Sequence, residues 1–351
     1  MHSLILIFLK TVRSVLKLFP YKEDKVLIVS LHRLGDTVFT LPAVNELKNK
    51  FGTKLTILCY PESVPIYDLE FDNIDICEVV KDDFYFNSRI AKTKLKRRIK
   101  KIRPNIIFDI TGSMISASII FNIRANKIIG TNGNQFKVIY DNFVEFRNEP
   151  KLFDIYLDAI SPAIQIEDRK KYIKEDKSLN PKGKILIHPF AGWKEKEWNL
   201  NNFVSIAKRL NQSFATSIII QKKQISEDVI ADIENSNLEV IQTESVNHLI
   251  ECIKDSSLFI GNDSGPVNIA NYLGKPTITI FGATNPDYTI SEREHQKLVQ
   301  KVLNCSARNN EKFCTIGGMI YSCSGVQCMN LLNVEDVYSR LLPSVKEFCL
   351  Q

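Results

Sequence analysis

The sequence predicts an α/β protein built from two doubly wound domains in tandem. Three observations predict it. The chain has 351 residues, which suits two cores of about 150 residues each. Continuous apolar runs such as KVLIVSL and KILIHPF lack alternation and so mark strands buried on both faces of a parallel sheet. Segments with apolar residues at helical spacing recur between those runs, and alternation of strand and helix is the pattern of a doubly wound sheet. With 44% apolar and 25% charged residues, the composition is that of a globular protein and excludes a largely disordered chain.

The first expected element is an amphipathic helix over residues 1–20. MHSLILIFLKTVRSVLKLF is apolar in its opening turns and carries Lys10, Arg13 and Lys17 at helical spacing. It is too short and too charged to span a bilayer. Two placements suit it: in the membrane interface with its three cations toward anionic headgroups, or docked on the protein's own surface. No small-residue cleavage site follows, which disfavours a secretory signal.

The first domain is expected over residues 21–170. KVLIVSL supplies its opening strand, LHRLGD a turn, and Thr37 to Lys50 a helix with the stripe Val38, Leu41, Val44 and Leu47. KLTILCY, PNIIFDITG and KIIGTN are its further strands, and the basic segment before PNIIFDITG is a helix. From Glu149 to Gly183 the chain becomes charged and loses strand pattern, which reads as a lead-in to a second domain over residues 180–334. There KILIHPF, SIIIQ, LEVIQT, SLFIGND and PTITIFG are strands, with helices such as NNFVSIAKRL between them. VEDVYSRLLPSVKEFCL closes the chain as an amphipathic helix over residues 335–351. Both domains are Rossmann-like in this reading, so ligands are expected beyond the carboxyl ends of their strands.

Charge is unevenly distributed. Residues 1–180 hold 29 Lys and Arg against 22 Asp and Glu, and the remainder holds 17 against 18. Eight of these cations fall between Lys92 and Arg103. Such a run is either a solvated helix face or a footprint for a polyanion such as a phosphorylated headgroup or nucleic acid. The eight cysteines, with no cleavable secretory signal, point to a reducing compartment. Four of them, Cys305, Cys314, Cys323 and Cys328, are spaced unlike paired zinc knuckles, and reduced structural thiols with no metal are expected.

Three segments at strand carboxyl ends carry the candidate chemistry. In SLHRLGDTVFTLPA, Gly35 lets the chain turn as it leaves the strand, and Asp36 stands at the helix mouth either as an N-cap or as a general base. In HPFAGWKEKEWNLNNF, the small Ala191 and Gly192 leave room for a ligand, Lys194 and Lys196 offer ammonium groups, and Trp198 offers a flat apolar surface. In SLFIGNDSGPVNIANYLGKPTITIFGATNPD, Gly261 to Gly265 form a small-residue loop, with Pro266 suited to a first helical position. Backbone N–H groups and the helix dipole make that loop an anion seat, suited to a diphosphate. Asp263 there caps the helix, binds a hydroxyl or holds the loop. No Gly-Lys-Ser/Thr follows, and no G-x-G-x-x-G follows the first strand, which argues against a Walker NTPase and against a nicotinamide or flavin enzyme.

Together with PNIIFDITGSMISASII, these segments resemble, in content and order, the heptosyltransferases of bacterial lipopolysaccharide synthesis, glycosyltransferase family nine. The resemblance runs from about Lys25 to Leu342 and implies a GT-B fold: two Rossmann-like domains with an interdomain cleft. It implies an inverting, metal-independent transfer with no cofactor, ADP-heptose being the nucleotide-sugar co-substrate. By position, Asp36 becomes the catalytic base and Lys196 the partner of the donor diphosphate. Ala191, Gly192, Asp263, Ser264, Gly265 and Asn268 line the donor site, and Arg33, Thr111 and Ser113 are the expected acceptor contacts. The partner implied is a lipid-linked anionic glycan and not nucleic acid, with the enzyme peripheral on the cytoplasmic face of the inner membrane. Two positions depart from the family pattern: Asn268 stands where His is usual, and QKKQISED, with Lys222 and Lys223, replaces a Gly-Gly turn. Other readings are a nucleotide-sugar epimerase of the same architecture, which would release a free epimerised nucleotide sugar, and a catalytically idle glycan- or nucleotide-binding protein.

Overall fold

The computed structural model describes residues 2–19, 21–85, 90–169, 180, 182–290, 294–314, 323 and 325–349. The chain divides into two compact units, Met1–Arg147 with Leu152–Lys170, and Asn148–Lys151 with Lys171–Gln351. Of the charged lead-in expected between the two domains, residues 170–179 and 181 lie outside the described residues.

In the first unit the elements run α1 (His2–Lys17), β1 (Val26–Val29), α2 (Leu34–Phe51), β2 (Leu55–Cys59), α3 (Val64–Tyr67), β3 (Asp75–Glu78), α4 (Thr93–Ile102), β4 (Ile106–Asp109), α5 (Met114–Ile120), β5 (Lys127–Thr131), β6 (Asn142–Val144) and α6 (Leu152–Ile160). Its six strands are all parallel, in the order β3-β2-β1-β4-β5-β6. β1 and β2 are buried along their full length, as their unbroken apolar runs require. Sequence reading expects four strands here. β3 and β6 are the additions, and both lie at sheet edges where one flank is open. The segment after Glu149 also proves not to be a mere lead-in, because α6 buries Leu152, Tyr156, Leu157 and Ile160 within the first unit.

Two features of this unit bear on the alternatives left open for its basic segments. On α1, Arg13 and Lys17 do not point away from the protein: both pair with Asp141, at 2.8 and 2.6 Å. The helix therefore docks on its own unit through these cations, while Ile7, Phe8, Val15, Leu18 and Phe19 remain at least half exposed. On α4, Leu95 and Ile99 are buried and Arg98 is bound to Asp83 and the Glu78 carbonyl. Lys94, Arg97, Lys100, Lys101 and Arg103 are left on the exposed side.

In the second unit follow β7 (Ile185–His188), α7 (Leu200–Leu210), β8 (Thr216–Gln221), α8 (Glu227–Glu234), β9 (Glu239–Thr243), α9 (Val246–Asp255), β10 (Leu258–Asn262), α10 (Gly265–Tyr272), β11 (Thr277–Phe281), β12 (Gln296–Gln300), α11 (Gln327–Asn330) and α12 (Val334–Cys349). The parallel order is β12-β11-β10-β7-β8-β9. β12 is a sixth strand beyond the five expected, again at an edge. The core of this unit packs Ile187, Trp198, Phe203, Ile260, Ile280 and, from α12, Leu341 and Val345. No helix among the described residues is long and apolar enough to cross a membrane.

Both sheets have the same winding: the chain starts in the middle, moves to one edge, then returns and builds outward on the other side. The order reverses between β1 and β4 in the first unit and between β7 and β10 in the second. At such a reversal the loops leaving the two strands diverge to opposite faces and open a crevice at their carboxyl ends.

Candidate active site

All the expected site residues except Asn268 lie in the loops, or the first helical turns, that leave these four strands. In the first unit, Arg33 and Asp36 follow β1 and Thr111 and Ser113 follow β4. In the second, Ala191, Gly192 and Lys196 follow β7, while Asp263, Ser264 and Gly265 follow β10.

Asp36 is not an N-cap. α2 begins at Leu34, Arg33 occupies the cap position without a side-chain capping bond, and Asp36 is the third helical residue. Gly35 is likewise helical rather than a turn, at little cost, because first-turn N–H groups have no intrahelical partner. The Asp36 side chain is partly exposed, whereas the face beneath it is closed by a hydroxyl network. Thr37 Oγ1 bonds Ser63 Oγ at 2.9 Å, Thr40 Oγ1 donates to the Thr37 carbonyl at 2.7 Å, and Tyr67 donates to Ser30 Oγ at 2.6 Å. Tyr156 of α6 packs edge-on against His32. Burial pushes the Tyr156 phenol well up, and the nearby Asp36 carboxylate pushes it further. The phenol therefore stays protonated beside a carboxylate that the first turn of α2 holds at its mouth.

The β4 loop is organised by Asp109, which is fully buried. Its Oδ1 accepts the N–H groups of Thr111 and Gly112 at 3.0 and 3.2 Å, and its Oδ2 accepts the Tyr140 hydroxyl at 2.7 Å. Burial raises its pKa from 3.8 to about 6, with these hydrogen bonds opposing the rise. Thr111 and Ser113 are less available to a ligand than the sequence suggests. Thr111 Oγ1 donates to the Val29 carbonyl and accepts from the Leu31 N–H at 2.8 Å, which ties the loops after β1 and β4 together. Ser113 is the N-cap of α5, its Oγ accepting from the Ser116 N–H. Arg33 is exposed.

In the second unit, Gly261 lets β10 approach β7: a Cβ there would stand 2.8 Å from the His188 carbonyl oxygen. Asn262, fully buried, then clamps the β7 loop. Its Nδ2 donates to the Pro189 carbonyl at 2.8 Å and its Oδ1 accepts the Trp198 N–H at 3.0 Å. Glu197 completes the clamp by accepting the Ala191 N–H at 3.0 Å. The loop ends in a 3-10 turn, Lys194–Lys196, from which Lys196 reaches Asp263: Nζ lies 2.5 Å from the carboxylate and 3.3 Å from the carbonyl. Thr284 Oγ1 donates to the same Asp263 oxygen at 2.7 Å.

Four expectations change here. Trp198 is no ligand surface: it is buried in the core, with Nε1 donating to the Leu332 carbonyl at 2.8 Å. The aromatic face near Lys196 belongs to Trp193, whose ring centre is 4.8 Å from the ammonium. Asp263 does not cap α10, and the small-residue loop shrinks to Asp263 and Ser264 because Gly261 is in β10 and Gly265 in α10. Ser264 is the N-cap residue, Pro266 is the second helical residue rather than the first, and Asn268 is buried in the helix. The Ser264 hydroxyl makes no capping bond and is buried with no hydrogen-bond partner among the described residues. A buried hydroxyl without a partner costs free energy. Its position at the positive end of α10, beside Lys196, suits an anionic ligand that would satisfy it. Asn262, Trp193 and Thr284 are the residues sequence reasoning missed. Only Asn262 carried a signal, as the middle of Gly-Asn-Asp at a strand end.

None of the eight cysteines, all of them among the described residues, is in a disulfide. Burial, together with the nearby Cys314, Cys323 and Cys305, pushes the Cys328 thiol up to about 11, so it is protonated at neutral pH. Among the described residues, no group of three or more His, Cys, Asp or Glu is placed to hold a metal ion.

Residues 92–316 match the model of glycosyltransferase family 9 (heptosyltransferase). The chain is 23% identical over 330 residues to lipopolysaccharide heptosyltransferase 1 of Campylobacter coli, covering 83% of this chain and 94% of that protein. Among solved structures it is similar to a glycosyl transferase family 9 protein from Veillonella parvula, with a TM-score of 0.68 and 16% identity over 94% of this chain and 99% of that one. It is also similar to E. coli heptosyltransferase WaaC with ADP, with a TM-score of 0.67 and 12% identity over 93% of this chain and 100% of that one.

Proposed function

The chain belongs to glycosyltransferase family 9, the heptosyltransferases, and from that premise we propose that it moves a heptose from ADP-heptose onto the inner core of lipopolysaccharide or a related envelope glycan. Its two parallel six-stranded α/β sheets are those of the GT-B fold. The observation that carries the reading is the arrangement at β7 and β10, where Lys196, a buried Ser264 hydroxyl with no partner among the described residues and the N-terminus of α10 converge. That is a seat for a diphosphate, with the Trp193 ring beside the ammonium.

The chemistry proposed is a single displacement with inversion. The acceptor hydroxyl oxygen bonds to the anomeric carbon as the bond from that carbon to the diphosphate oxygen breaks. Asp36 takes the hydroxyl proton, and ADP leaves with the bonding pair. Lys196 and the α10 N–H groups offset the charge that develops on the departing oxygen. Asp36 suits this task because it is partly exposed and lies at the β1 mouth, over a hydroxyl network that fixes the first turn of α2.

The exposed apolar face of α1 extends the reading to the membrane. Ile7, Phe8, Val15, Leu18 and Phe19 form a surface of the kind that enters the headgroup boundary, with Lys10 exposed beside it. In this proposal α1 holds the enzyme on the cytoplasmic face of the inner membrane, next to its lipid-linked acceptor. The deciding experiment combines the protein with ADP-heptose and a heptose-free, lipid-linked core acceptor. ADP release together with a gain of one heptose mass on the acceptor is the expected result. Release of a free epimerised nucleotide sugar, or no turnover with any nucleotide sugar, would overturn the assignment.

A further inference from the structure

We propose that the ring of Phe146 is a stacking platform for a sugar ring of the acceptor glycan. The proposal deepens the transfer reading above and rests on it for the identity of the acceptor.

Phe146 follows β6 and is 47% exposed although its ring packs against backbone. Its placement is specific. Gly112 has φ +65°, and a Cβ at that residue would stand 2.4 Å from Phe146 Cζ and 3.1 Å from the Thr131 carbonyl oxygen. The tip of the ring thus lies where a side chain at residue 112 would be. Both the backbone turn and the aromatic contact require glycine there. Gly112 is itself held by Asp109 in the loop after β4, and Thr111 in that loop bonds the backbone of the β1 loop that leads to Asp36.

All strands of this sheet are parallel, so the ring stands at the same carboxyl-end rim as Asp36. Polar residues adjoin the glycine that the ring covers, Ser113 following it in the chain. Asn132, after β5, donates to the Ser113 carbonyl at 3.0 Å, and Ser113 caps α5. An apolar ring beside loops that carry hydroxyl and amide side chains is the composition of a saccharide site. The C–H bonds on one face of a pyranose carry partial positive charge, and the face of an aromatic ring carries partial negative charge, so the two stack. The sugar's hydroxyls are left at the edges for polar groups. A lipid chain has no use for that polar rim.

Equilibrium dialysis of a delipidated inner-core oligosaccharide tests this without requiring turnover. Wild type should bind it, Phe146→Ala about tenfold more weakly, and Phe146→Trp at least as tightly as wild type. Phe146→Leu keeps apolar cover over Gly112 but lacks the aromatic face, so it should bind weakly while melting near the wild-type temperature. In transfer assays the alanine and leucine variants should raise the acceptor KM and leave the ADP-heptose KM unchanged. Wild-type affinity in the leucine variant, or no binding of the oligosaccharide to wild type, overturns the platform. Failure of wild type to transfer from ADP-heptose instead overturns the donor assignment, and the dialysis result stands apart from it.

Discussion

Replacing Asp109 by asparagine should change how stability depends on pH, and the structure sets the size of the change. The carboxyl is fully buried at the end of β4 and titrates near 6 rather than 3.8, chiefly because burial disfavours its charged form. A carboxyl whose folded-state pKa is raised binds its proton more tightly in the native state. Its contribution to stability is therefore complete below about pH 4 and is lost as pH rises through 6. Integrating between those two values gives a loss of about 2 kcal/mol between pH 4.5 and 7.5. Asparagine is nearly isosteric, can still accept the Thr111 and Gly112 N–H groups, and does not titrate. Whatever constant offset the substitution introduces through Tyr140, the wild-type-minus-variant difference should shift by that amount in the variant's favour over the pH range. Urea unfolding of both proteins at several pH values reads it out, as a relative midpoint shift on the order of 1 M. A difference in stability that stays constant from pH 4.5 to 7.5 would refute the assignment of a buried, proton-binding carboxyl to this loop.

Three further outcomes follow from the site. Asp36→Asn should abolish transfer while leaving ADP-heptose affinity within about twofold, measured by calorimetry beside a turnover assay. Full turnover at saturating donor would return Asp36 to a purely structural role. Lys196→Ala should weaken donor binding or turnover by at least about tenfold, the scale of one charge-assisted contact, and an unchanged variant would leave the lysine a partner of Asp263 alone. Removing residues 1–19 should release the protein from vesicles containing anionic lipid in a flotation assay. Continued flotation would move the membrane contact to the exposed cations of α4.

What the sequence made legible divides along physical lines. Strands buried on both faces announce themselves as runs such as VLIV, ILIH and TITIF, and each of these is a fully buried strand in the structure. The strands that sequence reading missed, DICE, NFV and QKLVQ, are all edge strands with partly exposed side chains. They have no reason to be continuously apolar, and short polar runs carry no period to detect. Helix starts blurred for a related reason. Gly35 reads as a breaker, but in a first turn its N–H has no intrahelical bond to lose. Candidate site residues were chosen by position, and all but Asn268 do lie where the chain leaves the carboxyl end of a strand. The assignment failed where two candidates of one type lie close in sequence, since nothing in GWKEKEW says that Trp193 stays near the lysine while Trp198 enters the core. Nor does local sequence reveal the Lys196–Asp263 pair, whose members are 67 residues apart.

That pair explains how a lysine can be kept at the mouth of α10 before any donor arrives. The N-terminus of a helix carries partial positive charge, so an ammonium held there alone would be repelled as well as desolvated. Asp263, only 5% exposed, removes both costs by taking a charge-assisted bond from Lys196 and a second bond from Thr284. Its position is fixed from the other side as well, because the Asp263 N–H donates to the Ile280 carbonyl of β11. The carboxylate is therefore built into the sheet, and the lysine, on a 3-10 turn clamped by Asn262 and Glu197, comes to it. In the proposed transfer, a diphosphate reaching this mouth would find a cation already oriented and already stripped of most of its water. It can share the ammonium with Asp263 rather than order a free side chain, which lowers the entropic cost of binding. In this account Asp263 serves the donor first as the counter-ion that positions Lys196, and any contact it makes with the sugar is additional to that role.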